Sequence, residues 1–302
     1  VKLMPISANS QVLPGSIIQV DLPSNSIVDI DSFQMFFKAV SSVPSGFSRM
    51  PPLIETIISR IAIEINGVSV QNDCQSLEQL FTVLSDMQNS VPSMIRRNLL
   101  NGDNRSKLIP ATAADVETQY TISTFLGLFK SVKYLDTSLL GNVRLRLTLS
   151  PGSVCSSSVE THATYVLNDV FFSCDIVDIS DGVFYNMHSQ FLSKGGVYSI
   201  PFKNYMSFIN SSSSLSQSTN FSISTQSLDR LISFFTYGRT AKTSSAVGNR
   251  NERTKRSNYF NRIAKGVQTF DNATVDANLD SVQYLIGNET HPSYLLSPEQ
   301  SY

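Results

Sequence analysis

Apolar and polar residues alternate along most of the first 180 positions, with the period of two that marks a half-buried strand. Val143, Leu145, Leu147 and Leu149 interleave with Arg144, Arg146 and Thr148, which predicts a strand with one face inward. Ile18, Val20 and Leu22 form a shorter run between Pro14-Gly15 and Pro23; Phe33, Met35, Phe37 and Ala39 form one face of a longer one. Ile61, Ile63 and Ile65 alternate with Ala62 and Glu64, then come Asn66-Gly67, and then Val68 and Val70 alternate with Ser69 and Gln71. Asn-Gly between two such runs predicts a two-residue hairpin, because a type I′ turn places both central residues at positive φ. That loop pairs Ile65 with Val68 and Ile63 with Val70, and puts all four side chains on one face. Tyr120, Ile122, Thr124 and Leu126 start a further strand, Tyr165 to Ile179 is a long β-rich run, and Val282, Tyr284 and Ile286 mark the last clear strand.

Helical spacing is rarer. Ser76 is placed to cap a helix, Gln79 completes a capping box, and Leu77, Leu80, Phe81, Leu84 and Met87 supply its apolar stripe. A second short helix is predicted over 92–100, with Pro92 in its first turn and Gly102 past its end. Ser180 or Asp181 caps a third, with the stripe Val183, Phe184, Met187, Phe191 and Leu192 and a stop at Gly195-Gly196. Strand patterns then resume at 197–202, 205–209, 221–225 and 234–237, with a short turn after Ser227 carrying Leu228, Leu231 and Ile232. Residues 238–261 are polar and basic without apolar periodicity, as in a long exposed loop. Short strands without long helices between them imply antiparallel sheets. The expected fold class is all-β: two antiparallel β-sandwich domains side by side, with short inserted helices. The first domain spans 1–180, the connector helix 181–196 and the second domain 197–302.

A chain of 302 residues with 41% hydrophobic content holds enough material for two cores, and only 16% of it is charged. Ser, Thr and Asn fill the deficit, as in β-rich proteins with many turns and broad protein contacts. A net charge of -1 gives no global reason to expect nucleic-acid binding. The cysteines, Cys74, Cys155 and Cys174, form no disulfide framework and no C-x-x-C, so free buried thiols are expected. The N-x-S/T triplets at Asn104, Asn210, Asn220, Asn272 and Asn288 are what a chain rich in these residues produces by chance. No run approaches the length of a transmembrane helix, and no signal-peptide pattern precedes the first strand.

Catalytic signatures are missing. There is no G-x-G-x-x-G, P-loop, H-E-x-x-H or G-x-S-x-G. His162, His188 and His291 lack metal-ligand spacing, and Asp271, Asp276 and Asp280 lack the glycine and closing Glu of an EF-hand. No catalytic residue, metal or cofactor is expected. The densest basic segment holds Arg239, Lys242, Arg250, Arg253, Lys255 and Arg256, extended by Arg262 and Lys265 and opposed by Glu252. Arg96, Arg97, Arg105 and Lys107 form a lesser one. A solvated loop face explains both; the functional reading is contact with an acidic neighbour, lipid headgroups or nucleic acid. Nucleic acid ranks last, because no aromatic residues interleave regularly with the charges.

Four passages resemble the double jelly-roll major capsid proteins of icosahedral DNA viruses, a group that includes tailless lipid-containing phages, virophages, polinton-like viruses and adenoviruses. Residues 12–38, VLPGSIIQVDLPSNSIVDIDSFQMFFK, resemble the family's opening strands. Residues 53–88, LIETIISRIAIEINGVSVQ running into LEQLFTVLSDM, resemble its strand–Asn-Gly–strand–helix passage, with Asn66 and Gly67 as the structural turn. Residues 143–179 resemble the closing strands of the first roll, and 281–294, SVQYLIGNETHPSY, a strand and loop of the second. The resemblance implies a non-enzymatic structural protein with two jelly rolls side by side in each subunit. Three subunits then form a pseudo-hexagonal tile of an icosahedral shell. It implies as partners further copies of the chain, neighbouring tiles and penton or minor capsid proteins. In membrane-containing members it adds an internal lipid vesicle; no specific nucleic-acid recognition follows. The implied location is the virion shell, with assembly in the host cytoplasm. The alternative is a glycan-binding β-sandwich such as a viral spike or lectin module; it expects exposed aromatic platforms, often Trp, and the chain has no Trp. A hydrolase on the same scaffold needs a carboxylate pair in a cleft.

Overall fold

The computed structural model describes residues 1–6, 11–42, 47–51, 53–72, 74–88, 92, 109–110, 118–157, 164–179, 182–210, 218–223, 227–233, 267–270, 273–276 and 282–296. The first part contains β1 (Lys2–Leu3), β2 (Gln11–Val12), β3 (Ile17–Asp21), β4 (Ile27–Ser42), β5 (Phe47–Arg49), β6 (Ile58–Ile65), β7 (Val68–Gln71) and β8 (Ile109–Pro110). It continues with β9 (Thr118–Ile122), β10 (Tyr134–Asp136), β11 (Val143–Leu149), β12 (Ser156–Ser157) and β13 (Thr164–Val177). Its helices are α1 (Leu77–Gln88) and the single turns α2 (Leu128–Ser131) and α3 (Thr137–Leu140).

In the larger sheet β1 and β2 share one edge of β13, β13 pairs with β4, and β9 and β10 share the far edge of β4; the second sheet runs β3-β11-β6-β7. A small third sheet runs β12-β5-β8. All these pairings are antiparallel. Taking β1 with β2 and β9 with β10 as one strand each, the larger sheet reads first–eighth–third–sixth and its partner second–seventh–fourth–fifth in chain order. That is jelly-roll connectivity, in which the chain passes back and forth between two facing sheets.

The inner faces merge into one core. Val143, Leu145, Leu147 and Leu149 point inward while Arg144, Arg146 and Thr148 point out, as the alternation predicts. Phe33 sits at the centre, its ring 5.4, 5.0 and 5.5 Å from Phe125, Phe129 and Phe172. Two strands change phase along their length. On β4 the buried positions switch from Val28 and Ile30 to Phe33, Met35 and Phe37, and the ladder to β13 shifts register there. Ser32 fixes this bulge: its hydroxyl donates to the Asp29 carbonyl (2.6 Å) and accepts from the Asp175 amide (2.7 Å). On β13 the switch from Tyr165 and Leu167 to Val170 and Phe172 turns on Asp169, at φ 51°. At the end of the core under α1 and the 3-10 turn Ile54–Ile57, two buried hydroxyls are paired. The Tyr165 hydroxyl donates to the Ser150 carbonyl (2.5 Å) and the Ser150 hydroxyl to the Thr56 carbonyl (2.8 Å).

Several expectations need correction. The Asn66-Gly67 turn forms, with φ 50° and 79°, and Ile65 faces Val68; but Ile63 pairs with Gln71, not Val70, across a register shift. Val68 is exposed, so the four apolar residues do not share a buried face. The cause is non-local. Gln71 is buried, its Oε1 accepting from the Leu128 amide (2.9 Å) and its Nε2 donating to the Leu126 carbonyl (3.4 Å), and this draws Gln71 inward opposite Ile63. Ser76 precedes α1 at φ 58°, a left-handed conformation instead of the extended one of an ordinary cap, and its carbonyl receives the Gln79 amide. The helix expected over 92–100 lies outside the described residues except for Pro92, which is helical.

Helix α4 (Gly182–Ser193) forms where the connector was expected and ends at Gly195-Gly196, with Gly195 at φ 77°. Four residues of its apolar stripe, though, are exposed: Val183, Met187, Phe191 and Leu192, the first two at 62% and 68%. No strand forms at the described residues of 197–209 and 221–223, and no helical turn at 227–233. Among the described residues no neighbouring strand pairs with these segments, and alternation produces a strand only where a ladder and a face are available to it. The strand expected at 234–237 and the loop 238–261 lie outside the described residues. Two hairpins follow: β14 (Val267–Phe270) with β15 (Ala273–Asp276), and β16 (Val282–Ile286) with β17 (Glu289–Leu296).

Candidate assembly surfaces

No group of three or more His, Cys, Asp or Glu residues is placed to hold a metal among the described residues. His188 stacks on Tyr198 (4.6 Å between ring centres), and His291 lies 3.6 Å from Glu289. They are in different parts of the chain; His162 lies outside the described residues. Asp276 ends β15, and Asp271 and Asp280 lie outside the described residues. The three thiols are buried. Burial pushes Cys74 and Cys155 up to about 12, with Glu78 adding to the effect on Cys74.

Asn66 and Gly67 form a structural pin. The Asn66 side-chain oxygen accepts from the Asn142 amide (3.0 Å), its amide nitrogen donates to the Leu140 carbonyl (2.8 Å), and its backbone amide donates to the Asn142 carbonyl (2.9 Å). Facing it, Gly141 sits at φ 74°, and a Cβ there would lie 2.4 Å from the Asn66 oxygen. The basic residues Arg239, Lys242, Arg250, Arg253, Lys255 and Arg256 lie outside the described residues, as do Arg96, Arg97, Arg105 and Lys107.

The sandwich offers two outer faces of different character. On the smaller sheet each cation has a partner. Arg144 forms a two-pronged pair with Asp21 (2.7 and 3.0 Å), Arg146 meets Glu64 at 2.8 Å, and Arg60 donates twice to the Asn72 carbonyl (2.8 and 3.1 Å). On the larger sheet Phe36 and Phe171 stack nearly parallel, 5.0 Å apart, with the Lys2 ammonium 4.3 Å above the Phe171 ring. Lys38 pairs with Asp169 at 2.7 Å. Lys2, Phe171, Lys38 and Asp169, together with Met4, Gln119 and Val170, line an open depression of about 310 Å3. Sequence reasoning missed this face; its signal was the adjacent pair Phe171-Phe172, which cannot both point inward on one strand.

A third surface belongs to the second half. Among the described residues every fully buried apolar side chain lies between Ile18 and Cys174, whereas Val197, Met206, Phe208, Ile209, Phe221 and Leu285 are exposed. No helix among the described residues is long and apolar enough to cross a membrane.

No protein-family model matches the sequence, and no curated protein does. Solved structures do show a likeness. One is a quasi-atomic model of the PBCV-1 virus capsid, at 10% identity and a TM-score of 0.37, covering 58% of this chain and 41% of that one. The major capsid protein of STIV (Sulfolobus Turreted Icosahedral Virus) matches at 12% identity and a TM-score of 0.32, covering 64% and 51%. The mavirus major capsid protein matches at 10% and 0.34, covering 60% and 47%. Each is a viral capsid structure. The chain spans about half the length of these proteins or less. Its jelly-roll connectivity stands on its own hydrogen bonds, independently of these scores.

Proposed function

We propose that the chain is a structural major capsid protein that self-associates as pseudo-hexagonal trimers, which tile an icosahedral virion shell over an internal membrane. In this reading residues 197–302 complete a second sandwich beside the first, and the basic segment from Arg239 to Arg256 contacts an acidic neighbour or lipid headgroups. The observation that carries the reading is the imbalance between the halves. The first is a closed jelly roll with a finished core; the second carries strand-forming alternation and large apolar side chains that are still exposed. Exposed apolar surface on this scale marks an interaction face. A jelly-roll scaffold presenting such a face is suited to building a shell. Obligate interfaces typically bury 2,000 Å2 or more, enough to make a trimer permanent on the timescale of assembly. The test is the mass in solution and the shape of the particles. Light scattering is expected to give three times the 33.3 kDa of the chain, and negative-stain microscopy six-sided tiles. A monomer at every concentration would overturn the proposal, and saturable binding to one glycan on an array would favour the lectin-like reading instead.

A further inference from the structure

A short stretch of the second half is fastened across the side of the sandwich where α1 begins and α2 ends. The Gln75 amide donates to the Ser207 hydroxyl (2.7 Å), and the Lys203 amide donates to the Ser131 hydroxyl (3.2 Å). Phe202, Tyr205 and Ile232 lie half-buried against the core, while Met206, Phe208 and Ile209 face outward. The Lys203 ammonium reaches Asp229 at 2.5 Å, and this pair ties residues 202–207 to residues 229–232. Each fastening is weak. Among the described residues no strand ladder holds 198–209, and the Lys203 and Asp229 side chains are 65% and 60% exposed, so solvent screens their attraction. Next to Gln75 in the chain is Cys74, 3% exposed, a member of the core against which Phe202 and Tyr205 pack.

We propose that residues 202–207, tied to 229–232, form a strap that opens as a unit while the jelly roll beneath stays folded, uncovering Cys74 and the seam under Phe202 and Tyr205. Few buried apolar contacts and solvent-exposed hydrogen bonds are the physical conditions for low-energy local opening. The β4–β13 ladder, by contrast, opens only with the whole sandwich. A strap of this kind lets the second half shift against the first without unfolding it, whatever larger assembly the chain enters.

The test uses the full chain with Cys155→Ser and Cys174→Ser, leaving Cys74 as the single thiol, and follows its reaction with a thiol reagent under native conditions. Labelling is expected to be independent of low denaturant, and Ser207→Ala is expected to speed it roughly tenfold with an unchanged unfolding midpoint, since one hydrogen bond of the strap is lost. Labelling that requires the same denaturant as global unfolding, in both proteins, would overturn the proposal. Because both replaced cysteines are buried, hydrogen exchange on the unsubstituted chain provides a second reading. Amides of 202–207 exchanging far faster than those of β4 and β13 support the strap; equal protection refutes it.

Discussion

Phe33 and Phe208 are both apolar members of alternating runs, yet they meet different fates. Phe33 is 0% exposed and packed among three aromatic rings; Phe208 is 51% exposed and stacks on Phe221 at 4.9 Å. The difference lies in what surrounds each run. The strand bearing Phe33 is flanked by β13 on one side and by β9 and β10 on the other, so its backbone is paired and its inner face meets the opposing sheet. Among the described residues the run bearing Phe208 has neither. Alternation therefore describes a capacity for a strand, and a ladder with an opposing face turns that capacity into structure.

The comparison is sharpest at Phe33. Phe33→Ala empties the centre of the aromatic cluster and is expected to destabilise the sandwich by about 3–5 kcal/mol, read from the shift in a urea unfolding midpoint. A loss no larger than that of a surface substitution would mean that the first half has no fixed core. The same core makes stability fall in alkali. Cys74 and Cys155 have ordinary values of 9.0 and are held at about 12 by burial. A folded value above the unfolded one favours the fold fully below pH 9, and this contribution drains away as the pH rises toward 12. Unfolding midpoints at pH 8, 9.5 and 10.5 should decline in that order, and replacing Cys155 with Ala should flatten the decline. A flat profile in the parent protein would show that the thiols are not enclosed.

Gln71 tests whether the two halves differ in buried polar order as well. Gln71→Leu leaves the Leu128 amide and the Leu126 carbonyl without the partner they have now, and is expected to lose about 1–3 kcal/mol despite adding apolar surface. Restored β6–β7 pairing of Ile63 with Val70 in the variant would identify this side chain as the source of the register shift.

What the sequence disclosed follows the same division. The Asn66-Gly67 turn, the in–out pattern of 143–149 and the Gly195-Gly196 helix stop are local, set by backbone preferences within a few residues, and each formed as read. The Ile63–Val70 pairing failed because the deciding partners, Leu126 and Leu128, lie more than fifty residues downstream. The phase changes at Ser32 and Asp169 were visible only as a shift of apolar positions, from even to odd numbers on β4 and from odd to even on β13, a signal without meaning until the two strands are known to pair. The aromatic outer face of the larger sheet was missed for the same reason: Lys2, Phe36 and Phe171 come together through three strands distant in sequence. The basic segment from Arg239 to Arg256 remains a sequence expectation.

The smallest expected effect is the most telling. Phe208→Ala removes as many atoms as Phe33→Ala, but from a side chain already half in water and with no core around it. The sandwich is expected to lose less than about 0.5 kcal/mol, the range of surface substitutions. The same variant should weaken self-association, because an exposed aromatic is worth most where a partner covers it. Measured together, the urea midpoint of the isolated subunit and the concentration dependence of its mass separate the two roles. A large loss of subunit stability would place Phe208 in a core of the chain's own, and the contrast between the halves would then lie in when they fold, not in what they bind.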